Sequence, residues 1–346
     1  MQAPGEELLG KFWDTLADKG IGKLFSPWQI RREGRAHADT RAYELRLLAQ
    51  AEADADDLRT GRKRLHQNGV TLLPGPSETN CTGQDGRTEP ILGVAQLAAT
   101  GIAQNTASAA RSEINASRAI LFAEEKLVGS SQNGQQATSS PNQEIDDDWL
   151  FNWREQVGRV SNEDLQRLWG SVLAGEFLNP GQYSLRTLDF LRTLSRSEAE
   201  LISKLGPVAM GNRIFRFDTD FLSERGLHFG VLLKLQQLGI LSGVEAIGMQ
   251  AIVKTVYPGR FMQVLICGNK ALIIEREAEE PKLQFNAFFV TDLGTQILSL
   301  GSFEPDIEYL TIVGKIIASK GFTVSVADWV DLSRDTGQYL NPVRLD

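Results

Sequence analysis

The sequence predicts an α+β fold: an N-terminal long helical hairpin, a central helical segment and a C-terminal mixed α+β domain that is weakly winged-helix-like. Three observations lead there. Residues 29–67 hold no proline and are rich in Ala, Arg, Glu and Leu, all strong helix formers. Residues 91–127 form a second helical stretch dense in alanine. Beyond residue 250 the pattern changes to short apolar runs of strand length. The chain of 346 residues is long enough for two or three domains. The expected division is an N-terminal region spanning 1–128, a linker 129–144, a compact helical domain 145–205 and the C-terminal domain 206–346.

Each element has a local reason. Leu8, Leu9, Phe12, Trp13 and Leu16 share one arc of a helix near the start of 6–25, and Gly20 and Gly22 end it. Ser26-Pro27 is a helix start and Asn68-Gly69 a stop, so 29–67 reads as one helix. Residues 71–90 read as a loop. Ala95, Ala98, Ala99, Ala103, Ala107, Ala110, Ala116 and Ala119 would let another helix approach the second stretch closely. Residues 129–143 have linker composition. Ser161 with Asp164, and Ser195 with Glu198, have the spacing of capping boxes. Between them Leu165, Leu168, Trp169, Val172 and Leu173 make an apolar face. Asn179-Pro180-Gly181 reads as a turn before a helix over 183–194. Further on, a helix over 226–238 ends at Gly239. Strands are expected over 251–257, 261–267, 271–274 and 283–290, with Pro258-Gly259 as a hairpin turn. Helices over 291–300 and 306–320 and a strand over 322–326 close the chain.

Composition narrows the function. A net charge of −8 opposes non-specific coating of nucleic acid, which needs many cations on phosphates. Cys81 and Cys267 stand far apart in unlike surroundings, which fits a reducing, cytoplasmic compartment. No run reaches the ~18–20 apolar residues of a membrane span, so membrane contact is expected to be peripheral.

Motifs for chemistry are missing from the sequence. It has no Walker or Rossmann glycine pattern, no Gly-x-Ser-x-Gly, no His-Glu-x-x-His and no Cys-x-x-Cys. The three histidines, His37, His66 and His228, are scattered. Asp146, Asp147 and Asp148 suit a helix N-terminus better than a metal. Glu176 has no partner at motif spacing. No catalytic residue, metal or cofactor is expected.

One electrostatic pattern stands out. Arg31, Arg32 and Arg35 crowd the start of the long helix, where the helix dipole favours acids. Phe12, Trp13, Phe25 and Trp28 lie beside them. Aromatics next to arginines on an amphipathic segment suit an anionic membrane interface or an acidic partner. These seven residues are the expected contact set. Packing of the short helix on the core is the plainer alternative.

Gly22-Lys-Leu-Phe-Ser-Pro-Trp-Gln-Ile-Arg-Arg, then Ile145-Asp-Asp-Asp-Trp-Leu, Leu165-Gln-Arg-Leu-Trp-Gly-Ser-Val-Leu-Ala-Gly-Glu and Pro180-Gly-Gln-Tyr-Ser-Leu-Arg-Thr-Leu-Asp-Phe-Leu together resemble a known group. It is a bacterial family catalogued as a domain of unknown function, which JukB-like effectors of the Juk (jumbo phage killer) antiphage system resemble. The resemblance is densest over 145–205. It implies a defence effector recruited by a JukA-like sensor to a phage-derived lipid vesicle, where it assembles as a homo-oligomer and disrupts the membrane. It implies no catalytic residue.

The rival expectation is a nucleic-acid-binding regulator with a winged-helix-like C-terminus. Its basic residues Lys234, Lys254, Arg260, Lys270, Arg276 and Lys282 are offset by Glu245, Glu275, Glu277, Glu279 and Glu280. A third is an enzyme of unrecognised class, with Asp146–Asp148 in a cleft.

Overall fold

A computed structural model describes residues 6–19, 63–66, 69–72, 94–132, 144–216, 220–245, 249–255, 259–277, 282–332 and 336–345. Within these it is mixed α+β with antiparallel sheets. The chain divides into two compact units. The first comprises 1–128 and 147–174; the second comprises 129–146 and 175–346.

The first unit begins with α1 (Glu6–Asp18), followed by the strands β1 (Lys63–His66) and β2 (Gly69–Leu72). The strands pair antiparallel, from Lys63 with Leu72 to His66 with Gly69. This corrects the expected helix end: residues 63–66 are extended and pair with the strand that begins at Gly69. In sequence Asn-Gly is as strong a hairpin signal as a helix stop. The rest of the expected helical hairpin's first arm lies outside the described residues.

The second helical stretch is α2 (Val94–Gln132), which continues past the expected start of the linker. It packs with α3 (Asp147–Gly158) and α4 (Glu163–Leu178). Its alanines let α4 approach. A Cβ on Gly170 would stand 2.7 Å from the Ala119 carbonyl oxygen and 2.9 Å from the Ala123 nitrogen. The expected capping box at Ser161 is replaced by Asn162, whose Oδ1 accepts from the Leu165 amide at 3.1 Å. A side chain one residue later reaches the orphan N–H better, and asparagine caps as well as serine. Leu165 is 48% exposed, so the apolar face of α4 narrows to Trp169, Val172 and Leu173.

A buried amide ladder ties the three helices. Asn115 Nδ2 donates to the Gly158 carbonyl at 2.8 Å. Gln166 Nε2 donates to Asn115 Oδ1 at 3.1 Å and to the Val160 carbonyl at 2.8 Å. Trp153, fully buried, donates to the Trp169 carbonyl at 3.0 Å. Buried polar groups persist when bonded in this way.

The second unit opens with α5 (Leu185–Thr193), capped by Ser184, and α6 (Arg196–Ser203), which carries the expected Ser195–Glu198 capping box. Then come β3 (Arg213–Phe215), α7 (Asp220–Glu224), α8 (Phe229–Gln237) and β4 (Leu241–Ser242). β5 (Met249–Lys254), β6 (Arg260–Cys267), β7 (Lys270–Glu277) and β8 (Lys282–Val290) follow. The helices α9 (Asp292–Leu298) and α10 (Ile307–Ala318) and the strands β9 (Thr323–Asp331) and β10 (Gly337–Leu345) complete it.

Pro258-Gly259 does not join a β5–β6 hairpin. β5 pairs with β8 and β6 with β7, so one hairpin is nested inside another. β8 is the centre of one sheet, with β3 on it as well as β4 and β5. The other sheet runs β10-β9-β7-β6. Phe215 stacks on Phe285 at 3.8 Å between ring centroids. Tyr309 on α10 is fully buried, and its hydroxyl accepts from the Phe215 amide at 2.7 Å. Gly314 of α10 lies against Leu272, Val324 and Leu345 of the second sheet.

Candidate functional site

The expected contact set begins on α1. Phe12 and Leu16 are fully buried and Trp13 is 7% exposed. The Phe12 and Trp13 rings meet edge-on, 5.6 Å between centroids. Phe25, Trp28, Arg31, Arg32 and Arg35 lie outside the described residues. The structure therefore shows two of the seven residues, and these two are packed rather than presented to solvent.

The local sequence explains this. Phe12, Trp13 and Leu16 fall on one helical stripe, and a stripe of that width faces whatever apolar surface is within reach. Two details qualify the packing. Trp13 Nε1 is buried without a hydrogen-bond partner among the described residues. Just past the helix, Lys19 is ion-paired with Asp147, the first residue of α3. The Lys19 side chain is 16% exposed and that of Asp147 66%.

Asp147 was legible as a helix N-terminal acid, and Asp147 and Asp148 do stand in the first turn of α3. Its pairing with Lys19 spans 128 positions, and no sequence spacing carries that signal. Among the described residues no group of His, Cys, Asp and Glu is placed to hold a metal ion. Cys267 is free and buried, and burial pushes its thiol up to about 12, so it is not a reactive thiolate.

Glu176, with no partner at motif spacing, has a structural environment. It is 2% exposed, and its two carboxylate oxygens accept from the Gly181 amide at 2.5 Å and the Tyr183 amide at 2.9 Å. Burial raises its pKa above the ordinary value, against the opposing pull of these backbone amides. Gly181 takes a φ of 85°, which glycine adopts at little cost. The carboxylate thus holds the Asn179–Tyr183 turn. The Tyr183 hydroxyl lies 3.4 Å from Ser299 Oγ, and Gln296 Oε1 accepts from the Ser184 amide at 3.0 Å, which secures the turn to α9.

A further surface was missed by sequence reasoning. Phe229, the first residue of α8, is 62% exposed, beside exposed His228 and Gly230. The turn before it is held by Arg225. Its guanidinium lies 3.4 Å from the Phe221 ring centroid, ion-pairs with Asp306 and reaches Glu308 at 2.7 Å. An apolar residue at the first helical position was the available signal, but a residue type by itself does not say whether that position faces solvent or the core.

Among the described residues no helix is long and apolar enough to cross a membrane. No curated protein and no solved structure matches the chain. Over residues 125–214, from the end of α2 into β3 and including Asp147, the amide donor Gln166 and the Glu176 turn, the chain matches the family model described as "Protein of unknown function (DUF2806)".

Proposed function

We propose that the protein is a non-enzymatic antiphage effector, recruited by a JukA-like sensor to a phage-derived anionic lipid surface where copies of it assemble and disrupt the membrane. The observation that supports the lipid step is α1, with its Phe12–Trp13–Leu16 face and a buried indole N–H that has no acceptor among the described residues. A bilayer interface offers such a ring apolar surroundings and its N–H an acceptor. Arg31, Arg32 and Arg35 add attraction for anionic headgroups, about 1 kcal/mol for each cation near the surface. The phage and sensor elements of the proposal rest on the resemblance in the signature segments.

Flotation with vesicles tests it. The full chain is expected to float with anionic vesicles and poorly with zwitterionic ones, and removal of residues 1–35 is expected to cut binding at least about tenfold. Binding that survives the deletion unchanged overturns the proposal. Co-purification with the sensor tests the partner separately.

One observation favours the second reading, a nucleic-acid-binding regulator. The α7–turn–α8 unit beside a sheet in which β8 lies between β3 and β4/β5 resembles a winged helix. Against it, Lys234 is the one basic residue of α8, and that helix leads with Phe229. A salt-dependent shift of duplex DNA in a gel would favour this reading over the first.

A further inference from the structure

We infer that α1 is an autoinhibitory latch: docked, it hides its Phe12–Trp13–Leu16 face, and released at the Lys19–Asp147 ion pair it presents that face to lipid. What the released helix meets rests on the lipid reading above. The latch itself stands on three observations within the first unit.

The first is burial. Phe12 and Leu16 have no exposed surface and Trp13 has 7%, so the face is unavailable while α1 is docked. The second is a fault in that docking. Trp13 Nε1 is buried with no acceptor among the described residues, whereas in an open helix it bonds to water. A buried donor left unbonded weakens the docked state by roughly tenfold. The third is the clasp. Lys19 is mostly covered but Asp147 is 66% exposed, so a solvent-borne charge or a partner can reach the pair and compete for it. α1 is also short, 13 residues, with Lys11, Asp14, Ala17 and Asp18 exposed opposite the buried residues, so it can leave as a single element.

The test uses the full chain and two readouts: hydrogen exchange of the amides of residues 6–19, and flotation with anionic vesicles. Lys19→Glu and Asp147→Lys each set like charges against each other at the clasp. Both are expected to speed exchange across α1 by up to about fivefold and to raise vesicle binding. The two substitutions change the chain's net charge in opposite directions, so a shared effect reports the latch and not lipid attraction. The double variant, which restores an inverted pair, is expected to return both readouts towards the wild type. Trp13→Phe keeps a ring and removes the unbonded N–H. It is expected to slow exchange by roughly tenfold and to lower vesicle binding. Exchange in α3 and α4 serves as the folding control. If α1 exchange is the same as the wild type's in both single variants and in Trp13→Phe, the latch is overturned. If exchange changes as expected while vesicle binding does not, the latch stands and the lipid reading falls.

Discussion

Replacing Gly170 by leucine is expected to lower stability by about 3 kcal/mol or more, the upper end of the usual cost of overpacking. The reason is which atoms are in the way. A Cβ at position 170 meets the Ala119 carbonyl oxygen at 2.7 Å, Phe122 Cβ at 2.8 Å and the Ala123 nitrogen at 2.9 Å. Two of these are backbone atoms of α2, which cannot rotate aside. The helices must separate, and the surrounding packing opens with them. Ile120, Ala123, Trp169 and Leu173 are all buried near this crossing. The amide ladder from Gly158 through Asn115 to Gln166 spans the same three helices and would be stretched. Calorimetry is expected to show a melting transition lowered by about 6–12 °C. Alanine at 170 is expected to do the same to a lesser degree. A melting temperature within about 2 °C of the wild type for leucine would mean that α2 and α4 do not cross at this glycine.

The second large effect is expected at Glu176. Alanine there leaves the Gly181 and Tyr183 amides without acceptors in a buried turn, at about 1–3 kcal/mol each. The expected total is about 3 kcal/mol in chemical denaturation. Glutamine keeps one acceptor oxygen and is expected to lose about half as much. The pH dependence separates charge from shape. Burial raises the folded-state pKa of Glu176 above 4.5, so the folded protein holds this proton where the unfolded chain has released it. Its contribution is therefore complete below the ordinary value and is lost as pH rises through the folded value. Glutamine does not titrate. The stability gap between wild type and Glu176→Gln is thus expected to narrow as pH rises from about 4 towards neutrality. A gap that widens over that range would show that the amide bonds outweigh burial.

Much of the secondary structure was legible because its causes are local. Ser195 and Glu198 satisfy each other's amides across one helical turn, and α8 ends at Gly239 as expected, with a φ of 76° there. β10 was not legible. It is an edge strand exposed along nearly its whole length, and it holds Pro342 and a bulge at Asn341, so it lacks the alternation that marks a half-buried strand. β3 and β4, at three and two residues, are too short to show a period. The nested hairpins were misread for another reason. A Pro-Gly step marks a reversal but does not say which strands pair, and β5 found its partner about 30 residues further on.

The candidate site divides in the same way. By itself the sequence determined that α1 is amphipathic and that Asp147 lies at the start of a helix. Each follows from interactions within a few positions of the chain. Only the tertiary structure decided that Phe12 and Trp13 are buried, that the Trp13 indole has no partner among the described residues and that Lys19 meets Asp147. An amphipathic face has the same sequence whether it meets a core or a membrane. The choice depends on which apolar surface lies within reach, and residues far apart in the chain supply that surface.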